Sequence, residues 1–146
     1  MIKTRNAREK ELFMYVAEDA TYATGNQAIF KSSDFLGASV VDSTNTIFRF
    51  WPQDQTKYNS QDVDAPIVLD TFQLTHTEDA HIEVLKVVAD AMANARGGFV
   101  VIQDDLGTAY TSDGASGGSA RSDLKWGSIE STGTDIEVTA VTVSTI

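Results

Sequence analysis

Residues 75–105 read THTEDAHIEVLKVVADAMANARGGFVVIQDD, and this one stretch carries a helix start, a periodic body, a stop and an apolar strand in that order. Thr75 followed three residues later by Glu78 has capping-box spacing: the hydroxyl accepts from the Glu78 amide and the carboxylate returns to the cap amide. It predicts a helix over about 76–96, with Glu78 and Asp79 in a first turn whose free amides favour carboxylates. His81, Val84, Leu85, Val88, Ala91, Met92 and Ala95 recur at three- and four-residue steps, with Glu83, Lys86, Asp90 and Asn94 opposite. Ile82, Val87 and Ala89 widen the stripe, so cover on more than one side is expected. Arg96 suits the last turn, and Gly97 suits the left-handed residue that ends it. Residues 99–102 (FVVI) read as a central strand covered on both faces, and Asp104 and Asp105 as its return to water.

The rest of the chain has to fit around this unit. Residues 12–17 and 28–31 read as two strands of a hairpin turning at Gly25 and Asn26, and 33–36 as a turn or a helical half-turn. Residues 37–41 and 46–51 flank Asp42, Ser43, Thr44 and Asn45, which all favour turns, and so predict a second hairpin. On its second strand Phe48 and Phe50 face one way and Ile47, Arg49 and Trp51 the other. The phenylalanines are expected in the core. Trp51 either covers an edge or, with Arg49, belongs to an interface, since both types are enriched at the energetic centres of contacts. Residues 52–66 (PQDQTKYNSQDVDAP) form a polar excursion of a length that commonly serves contacts, with Tyr58 as its candidate contact residue. A strand over 67–74 feeds the helix.

Residues 112–123 (SDGASGGSARSD) have the composition of a flexible loop. Residues 109–111, 125–130 and 134–145 read as strands, the last with an alternation that slips near Thr139 and Ala140 and allows a bulge. Together these segments predict one α+β domain over 12–146, an antiparallel-rich mixed sheet or sandwich packed on one main helix, behind an arm over 1–11.

A chain of 146 residues has room for one core. The absence of cysteine excludes disulfides, thiolate zinc sites and thiol nucleophiles. No apolar run approaches the roughly 20 residues that a bilayer span needs. The start MIKTRNAREKELF lacks an apolar signal region, so a soluble, unexported protein is expected. The net charge of −10 opposes binding to nucleic acid. That charge is uneven, because Lys3, Arg5, Arg8 and Lys10 outnumber Glu9 and give the first ten residues +3, leaving −13 for the rest. A basic arm on an acidic body is either a solvated terminus or an arm that docks on an acidic neighbour.

Catalytic constellations are hard to assemble from these residues. His76 and His81 are five apart, where ligands on one helical face need three or four. His81 falls on the apolar stripe as a packed residue, and His76 near the helix start. Asp104 and Asp105, adjacent on an extended chain, face opposite ways and form no calcium loop. The run from Gly114 to Gly118 lacks the lysine and threonine of a phosphate loop, and no G-x-S-x-G elbow occurs. The expectation is a non-enzyme without metal or cofactor.

Val84, Leu85 and Lys86, then Ala89, Asp90, Ala91 and Asn94, then residues 98–102 (GFVVI) with Asp104 and Asp105, form a pattern that resembles small virion structural proteins of marine tailed bacteriophages. The resemblance implies a capsid decoration or cement protein that binds the major capsid protein on the outer shell surface. It implies a homo-oligomer, with a trimer favoured, on the virion and in the host cytoplasm before assembly, without nucleic-acid or membrane partners. Arm and loop contacts would supply avidity on the lattice. Lys3, Arg5, Arg8, Lys10, Arg49, Trp51 and Tyr58 are the expected interface residues. A head-to-tail connector or tail protein is one alternative. A non-enzymatic ligand- or peptide-binding module is another, and a large closed pocket lined by Trp51, Phe72 and Met92 would favour it.

Overall fold

The computed structural model describes residues 11–18, 27–52, 68–94, 98–105 and 121–145. In chain order these form β1 (Leu12–Ala17), β2 (Gln27–Lys31), a 3₁₀ turn (Ser32–Asp34), β3 (Phe35–Asp42), β4 (Asn45–Phe50) and β5 (Asp70–His76). The helix α1 (His81–Asn94), β6 (Gly98–Asp104), β7 (Ser128–Ile129), β8 (Thr134–Asp135) and β9 (Val138–Ser144) follow. Strands lie in the orders β2-β1-β6 and β3-β4-β5-β9, with β7-β8 a small ribbon. Among the described residues only β1 and β6 pair in parallel, the other pairings being antiparallel. The α+β class with antiparallel-rich mixed sheets is therefore present, and strand outweighs helix.

Period-two alternation builds the core. Thr46, Phe48 and Phe50 on β4 and Phe72, Leu74 and His76 on β5 are buried, and the residues between them are not. Their face meets Leu12, Met14, Val16, Phe30 and Ile102 of the other sheet and Val84 and Val88 of α1. Phe30 joins the two sheets, with its ring centroid 5.2 Å from Phe72 and 4.8 Å from Phe50. Phe48 stacks on Phe72 at 4.9 Å. Burying each such ring contributes about 1.5–3 kcal/mol, and the offset and edge geometries add to that.

The β3–β4 hairpin forms as its sequence predicts. The Asp42 carboxylate accepts the Thr44 amide at 2.8 Å and the Asn45 side-chain amide at 2.9 Å. The bulge in β9 also forms, because Thr75 pairs with Ala140 and His76 with Val138, leaving Thr139 as the extra residue.

The helix starts later than its capping-box spacing implies. Thr75 belongs to β5, paired with Asn45 and Ala140, and its hydroxyl donates to Asn45 Oδ1 at 2.7 Å. A cross-strand acceptor has taken the group that would have capped the helix. His76 likewise ends a strand, with its amide bonded to the Thr44 carbonyl at 2.8 Å. Asp79 bonds the Ser43 carbonyl at 2.8 Å and turns the chain at φ 62°. The buried Ala80 then opens α1 by accepting the Val84 amide at 3.0 Å. Ile82 and Ala89 are exposed, so the stripe is narrower than expected. The second, partly covered flank is that of Glu83 and Val87, which face Trp126, Gly127, Ser128 and Glu130 across a groove that the exposed Lys86 also lines. Arg96 and Gly97 lie outside the described residues.

β6 is covered on both faces only over residues 101–104, and it ends its sheet rather than lying at the centre. It has β1 on one side and only the short run 121–123 on the other, and Phe99 is 58% exposed. Asp104 is buried rather than solvated, since its amide and carbonyl pair with Arg121 at 2.8 and 2.9 Å. Arg121, Ser122 and Asp123 are accordingly bound in place, and residues 112–120 of the expected loop lie outside the described residues. The expected strand over 125–130 contracts to β7. That over 134–145 is interrupted where the Ile136 amide turns to the Gly127 carbonyl at 2.9 Å.

Candidate interaction surface

The outer face of the β2-β1-β6 sheet is built by register. β1 presents Phe13 and Tyr15 away from the core, and antiparallel pairing sets Lys31 beside Phe13 and Ile29 beside Tyr15. Parallel pairing sets Phe99 beside Phe13 and Val101 beside Tyr15. The result is an apolar row with Phe13 40%, Ile29 44% and Phe99 58% exposed, and the Tyr15 and Phe99 rings 6.1 Å apart. Tyr15, Phe99, Val101, Asp104 and Arg121 line a cleft of about 240 Å³ at one end of the row. Contiguous apolar rows on an outer face mark contact surfaces more often than scattered residues do. The alternation in LFMYVA hints at Phe13 and Tyr15. Placing Phe99 beside them needs the strand register, which no local pattern carries.

Arg49 and Trp51 lie together on the outer face of the other sheet, as the alternation of β4 predicts. Arg49 Nη1 donates to Ser39 Oγ at 2.8 Å, which fixes the guanidinium across β3 and β4. Trp51 is 44% exposed, and its amide continues the ladder to the Asp34 carbonyl at 2.9 Å. This pair and the Phe13–Phe99 row therefore occupy opposite faces of the sandwich. Lys3, Arg5, Arg8, Lys10 and Tyr58 lie outside the described residues.

The histidines are not brought together. His76, buried, stands with Nδ1 2.8 Å from the Thr77 carbonyl and Nε2 2.9 Å from Thr46 Oγ1. A carbonyl only accepts, so Nδ1 carries a proton, and Nε2 shares a hydrogen bond with the threonine hydroxyl. His81 is the first residue of α1, and its Nδ1 is buried without a hydrogen-bond partner. Among the described residues no group of three His, Asp or Glu is placed to hold a metal ion. Asp105 accepts from Gln103 Nε2 at 2.8 Å and from the Val141 amide at 2.9 Å, so its carboxylate fastens the two sheets.

A groove of about 530 Å³ runs between α1 and the 3₁₀ turn, lined by Phe35, Ala89, Met92 and Ala93 with Glu11, Ser32 and Ser33 at its rim. It is open and includes neither Trp51 nor Phe72, the latter being fully buried in the core. Partial burial works to raise the Glu11 carboxyl. The Ser33 amide at 2.8 Å, the serine hydroxyls and the Lys31 cation outweigh it and hold the group below its ordinary range. The Thr44 amide and then the Asn45 side chain hold Asp42 low as well.

No helix among the described residues is long and apolar enough to cross a membrane. The chain matches no family model, no curated protein and no solved structure.

Proposed function

We propose that this chain is a structural, non-enzymatic virion protein of a tailed bacteriophage, a decoration subunit that cements the outer surface of the shell built by the major capsid protein. The observation that carries this reading is the exposed row of Phe13, Ile29 and Phe99 on a sheet face stiffened by the packed core beneath it. Rigid apolar anchors on a flat face suit repeated moderate contacts, which a lattice multiplies into avidity. The resemblance of residues 84–105 to small phage virion proteins supplies the choice of lattice.

The test is co-sedimentation of the purified chain with shells assembled from the major capsid protein of the same virus and stripped of this subunit. Saturable binding is expected, reduced at least tenfold by Phe13→Asp with Phe99→Asp while the far-ultraviolet spectrum stays unchanged. Removal of residues 1–10 is expected to weaken attachment without unfolding the domain. An intact chain that never sediments with shells overturns the proposal.

A ligand-binding module is the second reading, favoured by the groove of Phe35, Met92 and the Glu11–Ser33 rim. Saturable binding of a small apolar carboxamide or alcohol there, with no shell binding, would select it.

A further inference from the structure

The sheets treat their edges unequally. At β9 the outward amides of Val141 and Val143 are taken by carboxylates from the other sheet, Asp105 at 2.9 Å and Glu18. At β6 the outer edge is closed by residues 121–123. Arg121 exchanges both backbone bonds with Asp104, the Asp123 amide bonds the Val101 carbonyl at 2.8 Å, and Ser122 Oγ bonds the Ile102 carbonyl at 2.6 Å. β3, eight residues long, ends the order β3-β4-β5-β9, and among the described residues no backbone group bonds to its outer edge. An edge strand left open is a ready template for pairing with another extended chain.

We infer that the occupant of this edge is β3 of a second copy, paired antiparallel about a two-fold axis at Ala38. The sequence of the edge is self-complementary in that sense. Residues 35–41 (FLGASVV) carry no charge, apolar residues stand at both ends, and Gly37, Ala38 and Ser39 fill the middle. Turned end for end about Ala38, a second copy sets Leu36 against Val40 and Gly37 against Ser39, each pair on one face of the sheet. Leu36, Val40 and Val41 are 42%, 44% and 54% exposed and would be covered. Two chains of net charge −10 repel, and an uncharged strand is where they can approach without setting like charges face to face. The flanking Asp42 carboxylate is already held by Thr44 and Asn45 of its own turn. Leu36 and Val41 are also the extra residues of two bulges against β4. These bend the strand ends and confine pairing to the middle, so the contact closes on itself rather than propagating.

The inference stands apart from the capsid reading, and it places a two-fold pair where the resemblance implies a trimer. Its test is sedimentation velocity of the full chain over a dilution series, with Leu36→Glu, Val40→Lys and the double variant beside the wild type. A dimer is expected for the wild type. Each single variant should weaken it at least tenfold. The double variant should restore it, because the introduced carboxylate of each copy then faces the introduced ammonium of the other. Far-ultraviolet spectra of the exposed-site variants check that they fold. A monomeric wild type, a three-fold assembly, single variants that dimerise unchanged, or a double variant without rescue overturns the inference.

Discussion

The Asp105 carboxylate accepts the Val141 amide at 2.9 Å and so ties the end of β6 to the free edge of β9. The other oxygen takes Gln103 Nε2 at 2.8 Å, so a single side chain satisfies two donors between the sheets. Asp105→Ala leaves both donors without this acceptor in a partly closed space. The Val141 amide is stranded while Gln103 Nε2 keeps the Val138 carbonyl at 3.4 Å, so the expected loss is about 1–3 kcal/mol of unfolding free energy. Asp105→Asn keeps one acceptor and should lose about half as much. Urea unfolding of the three proteins checks the order.

How far this arrangement is legible in the sequence depends on the range of the interaction. The Asp42–Asn45 turn, the inward phenylalanines of β4 and the slip at Thr139 are written locally, in turn chemistry and period-two alternation, and the structure has them. Asp104 and Asp105 look like a solvated strand end because their partners, Arg121 and Val141, are distant in the chain. Thr75 fails as a cap for the same reason, since Asn45 lies thirty residues back. The row of Phe13, Ile29 and Phe99 is invisible in the sequence because three strands from separate segments compose it. Arg49 and Trp51 are legible because both belong to one strand register.

Thr46 and His76 form the polar inset of an otherwise apolar face, 2.9 Å apart and both buried. Thr46→Val is nearly isosteric, yet it leaves His76 Nε2 without this partner, at an expected cost of about 1–3 kcal/mol. His76→Phe removes the other partner and strands the threonine hydroxyl. With both changed, no polar atom of the pair is left, so the double variant should lose less than the sum of the singles by about 1 kcal/mol. A double-mutant cycle in urea measures this, and strict additivity would mean the two groups do not interact.

Glu11 and Asp42 both have depressed carboxyl pKa values in the folded chain. A depressed acid binds its proton less readily folded than unfolded, so its contribution is present above the unfolded value and fades as pH falls through the folded one. Their contribution to stability should therefore be level from neutral pH down to about 4.5, the ordinary value for Glu11, and decline below it. Glu11→Gln should flatten the upper part of that decline, and Asp42→Asn the lower, since the ordinary value for Asp42 is 3.8. Urea midpoints measured between neutral and strongly acid pH give the comparison. A decline of equal slope in both variants would remove these carboxylates from the account.

Glu83 sets two effects of opposite sign against each other. It lies in the first turn of α1, where a carboxylate gains about 0.3–1 kcal/mol from the helix dipole. One of its oxygens, Oε2, is also shut away from solvent with no hydrogen bond, beside a groove shared with Val87 and Trp126. Desolvating a polar atom without a partner costs about 1–3 kcal/mol, so burial outweighs the dipole. Glu83→Met keeps the length of the side chain and replaces the carboxylate by a group that packs on an indole. It should stabilise the protein by about 1 kcal/mol, raising Tm by about 2–4 °C. Glu83→Gln puts unpaired amide groups in the same place, so it gives up the dipole term without relieving the burial and should not stabilise. Thermal unfolding of the pair separates the causes. Stabilisation by both variants would point to charge alone, and by neither to a dipole term larger than the burial cost.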